Sequence, residues 1–198
     1  MQKLSRTQLA SVVAIGAFGL LAACSPKADE TPDTLATTPP ATATTPTVTD
    51  AWTDANVLDV ITVANQGEID YSQIAAEKAS NVSVKQFAQK MVKEHGTMLE
   101  SVKGLASRLG VTPAANDKAN DLKEENAKDI NDLNAKTGAD FDKEFMEEQI
   151  DMHQETLDLL NDVDGRTTNA DLKAAIAEAK PKVQAHLDEA KAIKDKID

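Results

Sequence analysis

Apolar residues recur along most of the chain at steps of three and four, the period of one face of a packed helix. The longest such line closes the chain: Leu172, Ile176, Ala179, Val183, His186, Ala190, Ile193, Ile197. A second runs through Val57, Ile61, Ala64, Glu68, Tyr71 and Ala75, and a third through Val84, Ala88, Met91, His95, Met98, Val102, Leu105 and Leu109. A fourth links Met146, Ile150, His153, Leu157 and Leu160, with Phe141 and Phe145 on a neighbouring line. These lines predict four long helices, over about 54–79, 83–109, 141–163 and 170–197.

The punctuation agrees with that division. Asn81 or Ser83 can cap the second helix, with Ser83 and Gln86 spaced as a capping box. Gly110 and Pro113 then close it. The stretch 116–137 is more polar. Leu122, Ile130 and Leu133 predict a short helix there that packs on one side and ends at Gly138. Asp140 is the expected cap of the third long helix and Gly165 its end. Thr168 or Asn169 caps the fourth, and Pro181 inside it removes a bond to the carbonyl of Ala177 and predicts a bend. Four long helices on short loops make an all-α, antiparallel four-helix bundle the economical fold, with an extra short helix between the second and third long helices. The scarcity of aromatics, 3% of the chain, points to a core of small and aliphatic side chains.

The first fifty residues read differently. Residues 1–23 have a short basic start at Lys3 and Arg6 and an apolar run from Leu9 to Leu21, the pattern of a secretion signal. That run is short for a membrane span. It ends in Leu21-Ala22-Ala23-Cys24, which resembles the lipobox of bacterial lipoproteins. The resemblance implies a lipidated Cys24 anchoring the mature protein to a membrane, with Ser25 rather than Asp after it favouring the outer membrane. Residues 24–50 then form a tether, with Pro26, Pro32, Pro39, Pro40 and Pro46 among threonines and alanines and no periodicity to build a core. Residues 51–198 hold the helical domain. The expected location is the cell envelope, on the periplasmic face.

A formal net charge of −12 excludes nucleic acid as a natural partner, because phosphate binding needs a basic face. It leaves cations and basic partners open. A single cysteine, Cys24, allows no disulfide within the chain.

The candidate chemistry lies on the helical seams. The chain has three histidines, His95, His153 and His186, and each falls on the apolar line of a different helix. Glu68 falls on the line of the first. At about 1.5 Å per residue, Glu68 and His95 stand nearly level, while His153 and His186 stand one to two turns apart. A loose cluster of these four groups follows. Apart from Met1, every methionine flanks two of these histidines: Met91 and Met98 share the seam of His95, and Met146 and Met152 lie beside His153. Three readings stay open. The histidines set helix register through hydrogen bonds to Glu68, Asn65 or each other. They bind a transition metal (Cu, Zn or Fe), with Glu68, Met91 and Met98 as further ligands and the thioethers favouring Cu(I). Or they form a protonation switch near pH 6. Gly67 and Gly96, beside Glu68 and His95, each cost about 1 kcal/mol against alanine inside a helix, which points to close helix approach or to ligand space.

The order of Asn65-Gln66-Gly67-Glu68-Ile69, the stretch Val84 to Val92, His95, Phe141-Asp142, His153, Pro181 and His186-Leu187 resembles a bacterial exported family, domain of unknown function 4142, of the ferritin-like superfamily. The match covers nearly everything from Trp52 on. It implies a ferritin-like bundle and an exported or outer-membrane location. The family usually carries Asp-His-Thr where this chain has Glu94-His95-Gly96. Di-iron bundles use Glu-x-x-His on two helices, whereas Val92, Ile150 and Val183 precede the three histidines here, so ferroxidase chemistry does not carry over. No nucleophile elbow, phosphate loop or paired-cysteine motif is present. The residues favour a non-enzymatic binding or envelope-stress module over an enzyme. The alternative is a ferritin-like metalloprotein that handles metal or oxidant.

Overall fold

The computed structural model describes residues 52–198; the leader, Cys24 and the whole tether lie outside the described residues. Five helices and no strand are found among those residues: α1 (Asp54–Lys78), α2 (Val82–Leu109), α3 (Asp117–Asn134), α4 (Gly138–Arg166) and α5 (Ala170–Ile197). None is long and apolar enough to cross a membrane.

Four of the five helices start where a side chain satisfies their free N–H groups; α4 has no such side-chain bond at Thr137. Thr53 caps α1 in a capping box with Asn56. Asn81, not Ser83, caps α2, accepting from the amides of Ser83 and Val84; Ser83 already lies inside the helix. Asn116 caps α3 and Asn169 caps α5. Gly110 ends α2 in the left-handed conformation at φ +63°.

The structure moves two predicted boundaries. Gly138 does not end α3, which stops at Asn134; it opens α4 instead, at φ +58°. Asp140 therefore sits in the first turn of α4, where its charge meets the positive end of the helix dipole. Gly165 stays within α4, which runs on to Arg166. α5 is continuous through Pro181. Ala177 and Pro181 are both exposed, so the carbonyl that loses its partner meets water.

α1 with α2, and α4 with α5, form two hairpins. The start of α4 is tied to the first hairpin turn: the carboxylate of Asp142 accepts from the amides of Ser80 and Asn81 and from the Ser80 hydroxyl, at 2.7–3.0 Å. At the opposite end, Thr167 Oγ1 and Asn169 Nδ2 donate to the Asp54 carboxylate. α3 lies against α1. A methyl group at Gly67 would overlap the amide of Asn126, so this glycine marks close helix approach. Gly96 has open space around it.

Two apolar clusters fill the bundle. One, near the α1–α2 turn, includes Tyr71, Phe87, Met91, Phe141, Phe145, Met146 and Ile193. The other, near the α4–α5 turn, is aliphatic: Val57, Leu58, Leu105, Leu160, Val163, Leu172, Ile176 and Val183 among others. Between them, at the middle of the helices, sits a buried polar layer of Asn65, Glu68, His95, Gln149, His153 and His186.

Candidate metal centre

The three histidines come from α2, α4 and α5 and meet in that layer. Their ring centroids are 5.5 Å apart for His95 and His153, 5.3 Å for His95 and His186, and 5.3 Å for His153 and His186. One ring nitrogen from each lies within 4.8 Å of the others. The expected gap between His153 and His186 closes because residues 167–169 form the turn and add no rise to α5. Measured from the turn, His153 lies about 20 Å back along α4 and His186 about 24 Å along α5, less than one turn apart.

The outer nitrogen of each ring has a defined partner. His153 Nδ1 is 2.8 Å from the carbonyl oxygen of Gln149, so this nitrogen donates. His186 Nε2 is 2.6 Å from Glu94 Oε2 and donates to the carboxylate. His95 Nδ1 is 3.1 Å from Asn65 Oδ1. The Asn65 amide nitrogen donates to the Ile61 carbonyl, which leaves its oxygen toward His95, and His95 Nδ1 donates to it. These bonds set the tautomer of all three rings.

The other nitrogens, His95 Nε2, His153 Nε2 and His186 Nδ1, are buried and have no hydrogen-bond partner. Each neutral ring therefore turns a lone pair toward the cluster, and no side chain there supplies a proton. Three convergent lone pairs repel one another in a medium of low dielectric; a cation between them removes the conflict. Imidazoles held by carboxylate, amide or carbonyl partners on their outer nitrogens are the usual pattern around a bound metal. A trigonal ion with bonds of about 2.0 Å needs nitrogens about 3.5 Å apart, so the rings close by at most about 1 Å to hold one.

Electrostatics favour the neutral imidazole at His95 and His186. Burial, reinforced by the other two rings, pushes His95 well below the ordinary histidine value. Burial also lowers His186, although the bond to Glu94 opposes it. For Glu94 burial acts upward, but the bond from His186 with Lys90 and Lys93 nearby brings the net value below the usual range. Burial raises Glu68, with His153 and Gln149 acting against it.

Glu68 stands beside the cluster rather than within the nitrogen set. Its Oε2 accepts from Gln149 Nε2 at 2.9 Å, and its Oε1 lies 3.5 Å from His153 Nδ1. Met91 is fully buried in the aromatic cluster. Met98 lines, with His95 and Glu68, a cavity of about 690 Å³. Gln149 and Glu94 escaped the sequence reading. Gln149 had a signal, an amide one turn before a seam histidine; Glu94 had none, since it reads as a surface acid.

The sequence pattern of a family described as a domain of unknown function (DUF4142) matches residues 37–193. The chain belongs to that family. No curated protein matches it. Among solved structures it is similar to CopM in the Cu(I)-bound form, at TM-score 0.58 and 18% identity over 73% of this chain and 97% of that one. CopM in the Cu(II)-bound form gives the same TM-score at 16% identity, over 74% and 98%. A DUF305 protein from Streptomyces coelicolor gives 0.53 at 10% identity, over 71% and 86%. At these identities the likeness is one of fold.

Proposed function

We propose that this protein is a metal-binding module of the bacterial cell envelope that holds one soft transition-metal ion, Cu(I) first among them, between His95, His153 and His186. The observation that carries the reading is the convergence of three unpartnered lone pairs in a buried layer. Charge favours a monovalent ion. Three neutral ligands leave the full charge of the ion inside the bundle, and one adjacent carboxylate, Glu68, balances a single positive charge. Imidazole suits copper as well as zinc, and the similarity to CopM, solved with Cu(I), Cu(II) and Ag, supports copper. Glu68 acts by orienting His153 and Gln149 and by its charge. Met91 serves as core, and Met98 is the thioether within reach of the cavity side of His95. The lipobox-like run before Cys24 supports a lipid anchor, with the bundle on the periplasmic side of the outer membrane and the tether between them.

The test is metal content by mass spectrometry after loading with copper, zinc or iron and purification without chelators. The expected result is about one copper per chain, lost in His95→Ala and in His186→Ala alike, because the two histidines hold the same ion. Retained metal in either single variant, or separate additive stability losses with no ligand effect, sinks the reading.

A further inference from the structure

The three histidines are 2%, 0% and 1% exposed, so an ion reaches them only through the protein. The cavity of about 690 Å³ is lined by residues of α1, α2, α4 and α5, and of the three histidines it touches His95, together with Glu68 and Asn65. We propose that a metal ion enters and leaves the histidine cluster through this cavity, passing the thioether of Met98, so that the site exchanges its metal instead of burying it permanently. The proposal rests on the metal reading above.

The route has a soft donor and an anionic inner end. Met98 follows His95 by three residues, so both side chains lie on one face of α2, and both line the cavity. A thioether there can hold a soft ion between solvent and imidazole. Glu68 is 2% exposed, and its Oε1 has no hydrogen-bond partner.

Small residues leave this space unfilled. Gly104, Ala175 and Ala179 line the cavity. A Cβ placed on Gly104 meets nothing nearer than the Arg108 guanidinium at 4.0 Å. The other candidate openings fail. The aromatic cluster closes the opposite end of the layer, and a second cavity, bounded by Thr62, Ala106 and Pro113, touches none of the histidines.

The rim carries Glu100, Asp171 and Glu178, which attract a cation, and Arg108 and Lys182, which repel one. Lys182 is exposed and stands four residues before His186, one turn away on the same face of α5, so it acts as a brake on loading.

The experiment is Cu(I) transfer from a chromophoric chelate into the full mature protein, followed by absorbance, with release measured by the reverse challenge. The variants are Ala179→Phe and Gly104→Phe, which fill the cavity, Met98→Leu, which keeps the volume but removes the sulfur, and Lys182→Ala. The fillings should slow uptake and release together by roughly tenfold or more at unchanged stoichiometry, since they block passage and leave the ligands alone. Met98→Leu should slow uptake by a few-fold, and Lys182→Ala should speed it by about two- to threefold at low salt, an effect lost at high salt. Uptake and release unchanged in either filled variant of parental helicity overturns the route. So does a fall in affinity that comes from faster release with uptake unchanged. Two fillings at separate positions guard against one that fails to fold. Failure of the metal reading is distinct: the parent protein then takes up no copper before any variant is compared.

Discussion

The two ends of the bundle are packed by different chemistry. Near the α1–α2 turn, Tyr71 stacks on Phe145 at 5.5 Å and Phe87 meets Phe145 edge-on at 6.3 Å. Near the α4–α5 turn the core is aliphatic, and α2 and α5 part around the cavity. Large planar rings fill space with few side chains and seal the layer from that side. Branched aliphatics next to alanines and a glycine leave room. The polar layer between them is therefore closed toward one end of the molecule and approachable from the other, and a ligand site that must be both dry and reachable needs that asymmetry.

The largest effect should come from breaking the sealed end. Phe145→Ala removes the ring that Tyr71 and Phe87 both touch and should cost about 3–5 kcal/mol in denaturant unfolding. Leu160→Ala, beside a cavity that already exists, should fall near the low end of the range for such changes, about 2 kcal/mol. Equal costs at the two ends would erase the contrast.

A smaller effect is expected where α3 crosses the side of the layer. Gly67→Ala pushes a methyl into the Asn126 amide and should cost about 1–3 kcal/mol. Asn126→Ala should recover most of that loss in the double variant. A double variant no more stable than Gly67→Ala would show that α3 does not pack as described.

The smallest effect is one of pH on the metal-free layer. His95 and His186 have folded values below the unfolded one. The unfolded chain therefore binds more protons, and stability falls as pH drops below about 6.5. Glu68 has the opposite sign. Its value is raised on folding, so its burial costs stability as pH climbs above the unfolded value of about 4.5. The melting temperature of the metal-free protein should decline from pH 7 to pH 5.5, and His95→Gln should flatten the decline. Glu68→Gln should raise the melting temperature at pH 7 while weakening metal binding. A pH profile unaltered by His95→Gln would remove the imidazoles from the account of the layer.

Much of this was legible beforehand at particular residues. The apolar lines through Val57, Val84, Met146 and Leu172 located the long helices, because burial of one helix face imposes its period on the chain. The interruption of three of those lines by histidine marked the buried polar layer for the same reason: an imidazole on an inward face is conspicuous among Leu, Ile and Val. Boundaries were weaker. Gly138 reads equally as a stop or a start, since a left-handed residue serves either side of a turn, and Gly165 can be carried inside a helix whose ends are held elsewhere.

The sequence alone thus determined the helical class, the inward placement of His95, His153 and His186, and the acidic character of the chain, none of which needs contacts distant along the chain. Tertiary structure decided the rest. Register between α4 and α5 set His153 and His186 less than one turn apart, because the three turn residues 167–169 add no rise to α5. It brought Gln149 to Glu68, and Glu94 to His186 across 92 positions of the chain. The direction of each lone pair depends on those outer partners. Those of His95 and His186 are distant in sequence and carry no periodic signal, so only the folded chain could show that the three rings come together.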